Sequence, residues 1–203
     1  MNPLERQLLA LCERLDLQPP LDYDPIWSAA PDFLGLLVDH CLSHKPRVIV
    51  ECSSGISTLM LAAACRLNGH GQVFSLENGA EFAQRTRQQL QRQGLSPQAQ
   101  VLDAPLQPLV LNQTNFVWYD LSALPQLPLD MLVIDGPPGL LQPLSRYPAL
   151  PLLFERLNAG ASLFLDDAAR ADEQEIVRLW LEQFPQLQRK DIPSERGCVR
   201  LSL

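Results

Sequence analysis

From Arg47 onward the sequence alternates between short apolar runs and helical stretches, and this alternation limits the fold more than any other feature. Five runs rich in Val, Ile, Leu and Phe are predicted strands, at residues 47–51, 72–77, 99–103, 130–135 and 161–167. Helices are predicted over residues 57–69, 79–94, 149–160 and 172–184. Repeated strand, helix, strand units form crossovers on a parallel sheet. Two last runs, residues 187–193 and 197–203, have no helix between them and predict an antiparallel hairpin at one sheet edge.

The N-terminal part is different, because it is helical. Leucines at helical spacing predict an amphipathic helix over residues 3–16, and a second helix begins at Pro31 and stops before Pro46. We expect residues 1–46 to form a helical segment that packs on a core of residues 47–203, in one domain overall. The chain length of 203 residues suffices for a sizeable core.

Charge and cysteine content narrow the function classes. The net charge of −7 argues against a sequence-independent nucleic-acid binder, which needs a basic face. The five cysteines are scattered and lack metal-type spacing, which is typical of reduced cytosolic thiols. No apolar run is long enough to span a bilayer. We therefore expect a cytoplasmic protein without nucleic-acid or membrane partners, and a homodimer is compatible with the sequence.

The most informative pattern is the residue that ends each predicted parallel strand. All five strands end in acids, namely Glu51, Glu77, Asp103, Asp135, and Asp166 with Asp167. The carboxyl ends of parallel strands meet at one edge of the sheet, where open sheets bind ligands. The alternative is that some of these acids cap the following helix, and it applies best to Asp103 and Asp167.

The turn after the first strand indicates which ligand binds there. A dinucleotide diphosphate needs close backbone approach over glycines and disfavours a nearby anion such as Glu51. A ligand with a cationic amino-acid head, a ribose and a base fits better, and S-adenosylmethionine is such a ligand. Ser53, Ser54 and Ser57 could donate to its carboxylate. Glu77 is placed to accept from both ribose hydroxyls.

Longer segments carry a family resemblance. VIVECSSGISTLMLA, the acid of FSLEN, and LDMLVIDGPPG with RYPALPLLFERLNAGASLFLDDA resemble a class I S-adenosylmethionine-dependent methyltransferase. More narrowly, they resemble a small bacterial group with DGPP at strand four and DDA at strand five. The resemblance covers about residues 25–185. It implies an α/β fold with a Rossmann-like open sheet of seven strands, mostly parallel, with an antiparallel C-terminal hairpin and helices on both faces.

The resemblance also implies a set of cofactor-binding residues. These are Glu51, Ser53, Ser54, Gly55, Ser57, Glu77, Asn78, Asp103, Ala104 and Asp135. Glu51, Ser53 and Gly55 would line the methionine part, Asp103 and Ala104 would lie beside the adenine, and Asp135 would face the reacting end. Family members usually have glycine at the position of Ser53. Serine prefers an ordinary backbone conformation and leaves less room.

Asp135, Asp166 and Asp167 resemble the positions that hold magnesium in catechol O-methyltransferases. Such a cation could orient a substrate oxygen and lower its pKa. Those enzymes also have a lysine base shortly after the strand-four acid, where this chain has Pro138. The catechol-type mechanism therefore lacks its base unless Arg146 or a metal-bound water substitutes. Asp135 and Arg146 are the candidate catalytic residues.

The resulting expectation is an S-adenosylmethionine-dependent methyltransferase that acts on a small molecule at oxygen or nitrogen. The alternative is a catalytically silent module that keeps the fold and binds a protein partner through the N-terminal helices. A dehydrogenase that uses NAD is disfavoured by the glycine pattern of the first turn. Trp27 could close over the cofactor or pack as a core anchor.

Overall fold

Runs of β-branched and apolar residues form the strands of the fold. The computed structural model, which describes residues 3–203, has strands β1 (Val48–Cys52), β2 (Gln72–Glu77), β3 (Ala99–Asp103), β4 (Leu106–Leu111), β5 (Thr114–Tyr119), β6 (Leu129–Ile134), β7 (Leu157–Leu165), β8 (Gln188–Ile192) and β9 (Cys198–Ser202). Seven of them form one sheet in the order β3-β2-β1-β6-β7-β9-β8. Neighbouring strands are parallel from β3 to β7, whereas β9 is antiparallel to both β7 and β8. The predicted seven-stranded, mostly parallel sheet with a C-terminal hairpin is confirmed.

Helices cover both faces of this sheet. They are α1 (Pro3–Leu15), α2 (Pro31–His44), α3 (Ile56–Asn68), α4 (Ala80–Arg92), α5 (Ala149–Leu153) and α6 (Ala171–Gln183). Alternate strand residues serve opposite faces: Ile49 packs with α1 to α4, whereas Val50 packs with α5, α6 and the β4–β5 pair. The N-terminal helices α1 and α2 pack against α3. The boundary between residues 46 and 47 stays a prediction.

Between β3 and β6 in the chain, β4 and β5 form a separate two-stranded hairpin. No strand was predicted there. Its turn residues Asn112 and Gln113 have φ angles of 50° and 64°. Two successive left-handed residues match the twist of a hairpin, and an Asn-Gly pair usually marks them. Because glutamine occupies the second position, the usual signal is absent from the sequence.

The predicted helix over residues 149–160 was wrong in its second half. Helix α5 ends at Leu153, a 3₁₀ turn follows over Phe154–Arg156, and β7 begins at Leu157. Leu157 pairs with Leu129 of β6, and the register shifts after that pair. The strand thus begins four residues before the predicted run, because sheet pairing overrides the local helical pattern.

The sheet order reverses direction between β1 and β6. The carboxyl ends of these two strands therefore form the crevice at which open parallel sheets bind ligands. Among residues 3–203, no helix is long and apolar enough to cross a membrane.

Candidate active site

The turn after β1 has an unusual backbone at Ser53. This residue has a φ of 104°, a region that residues with a side chain rarely adopt. Its amide donates to the carbonyl of Leu76 at 3.0 Å, which ties the turn to the neighbouring strand. The serine thus takes a glycine-like conformation, and the strain that this costs is of order 1–3 kcal/mol.

Glu77 at the end of β2 holds the same turn from the side. Its Oε2 accepts from the amide and the hydroxyl of Ser54, at 3.0 and 2.9 Å. Its Oε1 accepts from the amide of Gly79 at 2.8 Å. One carboxylate therefore connects the turns after β1 and β2. Its predicted contact with ribose hydroxyls stays a prediction.

Glu51 lies beneath the turn and is fully buried. Its Oε2 accepts from Thr58 Oγ1 at 2.6 Å and from Ser75 Oγ at 2.7 Å. Burial raises the pKa of this carboxyl, against the hydroxyls of Ser57, Thr58 and Ser75, which lower it. Thr58 also accepts from the amide of Gly55, at the start of α3. Glu51 therefore supports the turn from below and does not line the cavity described next.

A cavity of about 150 Å³ opens at the carboxyl ends of β1 and β6. Five of the predicted site residues line it: Ser53, Ser54, Gly55, Ser57 and Asp135. The remaining lining residues come from the segment before α2, from the first turn of α3 and from α4, namely Leu21, Asp22, Asp24, Trp27, Ser28, Ala29, Ile56, Leu59, Phe82, Arg85, Thr86 and Gln89. The structure thus brings the serine-rich turn after β1 and Asp135 after β6 together around one cavity.

The cavity mouth carries exposed apolar side chains. Trp27 and Phe82 line the cavity and are 67% and 51% exposed, and Ile26, which precedes Trp27 in the chain, is 78% exposed. The core-anchor interpretation of Trp27 was wrong. Asp24 shapes this segment, since its Oδ1 accepts from the amides of Ile26 and Trp27. Arg196, from the turn between β8 and β9, holds the segment by donating to two of its carbonyls.

Four cavity-lining residues are not among the predicted site residues, namely Asp22, Asp24, Phe82 and Arg85. Phe82 carries the clearest signal, because it is an apolar residue on an otherwise polar, charged helix. Asp22 and Asp24 lie in a proline-rich connection with no periodic pattern, so only the fold brings them to the cavity.

Three other predicted cofactor residues do not line this cavity, namely Asp103 and Ala104 on the adenine side and Asn78. Asp103 is exposed and pairs with Arg87 Nη2 at 2.8 Å. Ala104 is buried, and its amide donates to the carbonyl of Glu77. Asn78 is exposed. Their contacts with a cofactor stay predictions.

The second residue of the loop after β6, Gly136, has no room for a side chain. A Cβ atom on Gly136 would lie 2.4 Å from the hydroxyl of Tyr119 and 3.0 Å from the Cβ of Ser53. The turns after β1 and β6 therefore approach each other too closely for a side chain at this position.

A second group of predicted residues surrounds the side chain of Arg146. Its Nη2 donates to Asp167 Oδ2 at 2.8 Å and to Asp135 Oδ1 at 3.2 Å. The same guanidinium donates to the backbone carbonyls of Asp135 and Asp166. Glu173 Oε1 lies 3.7 Å from Nη1. We call Asp135, Asp166, Asp167, Glu173 and Arg146 the arginine cluster.

Burial dominates the electrostatics of this cluster. It raises the pKa of Asp166 to about 8, helped by the charges of Asp135 and Asp167, so this carboxyl stays protonated near neutral pH. Burial also raises the pKa of Asp135 to about 6, opposed by Arg146. Burial disfavours the charge of Arg146, but Asp135, Asp167 and Glu173 outweigh it and raise its pKa.

The three aspartates have the composition of a divalent-cation site. One ligand oxygen from each of Asp135, Asp166 and Asp167 lies within 4.8 Å of the others. Both carboxylate oxygens of Asp166 are buried without a hydrogen-bond partner. However, Arg146 already donates to Asp135 and Asp167, and Asp166 and Asp167 are only 1% and 3% exposed. The residues present therefore fit the guanidinium and do not fit a magnesium ion that also reaches a substrate.

Comparison with protein families agrees with this geometry. The model of a family described as a methyltransferase domain matches residues 50–168, more than half of the chain. This range contains the serine-rich turn, Glu77, Asp135 and both aspartates after β7. No curated protein matches the sequence significantly.

Solved structures share the fold at low sequence identity. The methyltransferase PaMTH1 of Podospora anserina, bound to S-adenosylhomocysteine (SAH), has 13% identity and a TM-score of 0.67, over 96% of this chain and 86% of its own. The O-methyltransferase of Bacillus cereus in complex with SAH has 16% identity and a TM-score of 0.62, over 98% and 90%. The O-methyltransferase TomG of Streptomyces achromogenes, in complex with S-adenosylmethionine, has 15% identity and a TM-score of 0.62, over 100% and 90%.

Proposed function

The chain belongs to the family of methyltransferase domains, and from this premise we propose that it is an S-adenosylmethionine-dependent methyltransferase acting on a small molecule at oxygen or nitrogen. One observation carries the proposal. The cavity at the reversal of the sheet order is lined on one side by the serine-rich turn and on the other by Asp135.

The charges around the cavity suit a cationic ligand. Asp22, Asp24 and Asp135 line it, opposed by Arg85 alone among the lining residues. The sulfonium and ammonium groups of S-adenosylmethionine are attracted by such an excess of carboxylates. The hydroxyl of Ser53 is available as a donor to its carboxylate, whereas the hydroxyl of Ser57 is engaged with Glu51. Ser54 holds Glu77 in place, beside the expected ribose position.

Asp135 is the residue best placed to act on the methyl acceptor. When bound, the cofactor supplies a methyl group already activated by the sulfonium, so the protein mainly has to align the acceptor with it. With a pKa of about 6, Asp135 is ionised near neutral pH and can accept a proton from an acceptor hydroxyl or amine. Arg146 bonds its Oδ1, while Oδ2 accepts no hydrogen bond from residues 3–203. No step of this mechanism requires a metal.

The acceptor class follows from the cavity mouth and from the neighbours. The exposed side chains of Trp27 and Phe82, which line the cavity, suit an acceptor with an apolar or aromatic body. Two of the solved neighbours are named O-methyltransferases. These observations favour oxygen as the atom that receives the methyl group.

Binding of SAH is the direct test of the proposed cofactor. Calorimetric titration of the folded protein should show saturable binding with one SAH per chain. Asp135→Asn should still bind SAH and should lose methyl transfer in a SAH-release assay over a panel of phenols and amines. The absence of SAH binding to a folded protein would reject the proposal.

The silent binding module remains the rival function, and two observations favour it. Ser53 holds a strained conformation in the cofactor turn, and both oxygens of Glu77 are already bonded to protein groups. This rival predicts weak or absent SAH binding and a protein partner on α1 and α2. Clear SAH binding, together with a pull-down that finds no partner, would count against it.

A further inference from the structure

Arg146 occupies the centre of a group of carboxylates that would otherwise be a cation site. Its side chain is only 4% exposed. The guanidinium donates to the carboxylates of Asp135 and Asp167 and to the carbonyls that end β6 and begin the turn after β7. No other cationic side chain in the described part of the chain is buried against these aspartates.

The position of the Arg146 guanidinium relative to the three aspartates decides whether a cation can bind there. Asp135, Asp166 and Asp167 place one oxygen each within 4.8 Å of the others, which is the spacing of ligands around a single ion. Arg146 Nη2 lies at 2.8 and 3.2 Å from two of these side chains. Arg170 reaches Asp167 at 2.9 Å from the solvent side, since its side chain is 52% exposed. A divalent cation would have to displace a buried guanidinium that is bonded on four sides.

We propose that Arg146 takes the place of a divalent cation in this site, so that the protein excludes metal and the guanidinium positions Asp135 instead. A planar guanidinium suits this better than an ammonium, because its nitrogens reach two carbonyls and two carboxylates at once. Arg146 is a positioning residue, since it acts through Asp135 and does not line the cavity. The role of Asp135 toward the acceptor rests on the proposed function, whereas the exclusion of metal does not.

The test is a titration with Mn²⁺ in which electron paramagnetic resonance measures the concentration of the free ion. Three chains are compared: the unaltered protein, Arg146→Met, which keeps bulk and removes charge, and Arg146→Lys, which keeps the charge. Arg156→Met is the control for loss of an arginine elsewhere, because Arg156 donates to the carbonyls of Pro125 and Leu127 and lies outside the arginine cluster. Circular dichroism confirms that each chain is folded.

The unaltered protein, Arg146→Lys and Arg156→Met should show no saturable Mn²⁺ binding below about 1 mM, the weak end of protein sites for such cations. Arg146→Met should bind one Mn²⁺ per chain at least tenfold more tightly, and adding Asp166→Asn should remove the gain. Micromolar binding of one Mn²⁺ by the unaltered protein would overturn the proposal. A folded Arg146→Met chain without the gain would also overturn it.

The unaltered protein decides the matter even if Arg146→Met does not fold, because its own Mn²⁺ affinity is the primary readout. SAH affinity measured on the same samples separates the two claims. A protein that binds neither SAH nor Mn²⁺ rejects the proposed function and leaves the exclusion of metal standing.

Discussion

The two halves of the sheet edge both carry carboxylates, but these carboxylates have different hydrogen-bond partners. At the ends of β1 and β2, Glu51 and Glu77 accept hydrogen bonds from hydroxyls and amides. At the ends of β6 and β7, Asp135 and Asp167 are held by a buried guanidinium. Hydroxyl and amide donors bring no positive charge to a carboxylate, whereas the guanidinium of Arg146 does. The first half therefore holds no buried counterion, and the second half already contains one.

The largest effect is expected from removing the guanidinium. Arg146→Met should lower the free energy of unfolding by about 3–5 kcal/mol, because it leaves buried carboxylates without their counterion. The matched change at the other half is Arg87→Met, whose pair with Asp103 is exposed and should cost less than about 1 kcal/mol. Urea denaturation measures both. Equal losses would show that the two halves do not differ in this way.

A second comparison concerns Glu77, whose charge holds the first half together. Glu77→Gln should weaken SAH binding by about 10- to 100-fold, because the hydrogen bonds from Ser54 and Gly79 lose their charged acceptor. Glu182→Gln is the control, since this exposed acid of α6 pairs with Arg178 and does not line the cavity. Calorimetry gives both affinities, and a Glu77→Gln protein with unchanged affinity contradicts the assignment.

The protonated carboxyl of Asp166 makes stability depend on pH. Its pKa is about 8 in the folded protein and near 4 in an unfolded chain. Between these values the unfolded chain releases a proton that the folded chain keeps, so the free energy of unfolding falls as pH rises from about 4 to 8. Asp166→Asn should remove up to about 1 kcal/mol per pH unit of this decline. Urea denaturation at a series of pH values is the measurement, and identical slopes would refute the prediction.

The smallest expected change is a stabilisation in the first half. Ser53→Gly should raise the free energy of unfolding by about 0.5–1 kcal/mol, because glycine adopts the φ of 104° without strain but loses more chain entropy. Ser54→Gly is the matched variant and should destabilise, since it removes a hydroxyl bond to Glu77. If Ser53→Gly also lowers the free energy of unfolding, the backbone conformation of Ser53 does not destabilise the folded protein.

The sequence predicted the sheet well because its signals were local. Apolar runs, helix-ending glycines and the final helix-free pair specify the order of elements, and strand-end acids specify the edge. The β4–β5 hairpin was missed because glutamine replaces the usual glycine in its turn. The premature end of α5 depends on pairing between Leu157 and Leu129, which lie far apart in the chain.

The site was predicted less completely, since its geometry depends on tertiary contacts. The serine-rich turn and Asp135 do meet at one cavity, but Glu51 turns inward to Thr58 and Ser75. The sequence also placed Arg146 near the site without showing that it sits between the aspartates. Spacing along the chain cannot show which of several charges ends up buried against which.

The most direct test of the account is a calorimetric titration with SAH in EDTA, repeated in excess Mg²⁺. It examines both halves of the sheet edge at once. The account predicts saturable binding of one SAH per chain, with the same affinity in both buffers. A folded protein that gives no binding heat, or that binds SAH only with Mg²⁺, would contradict it.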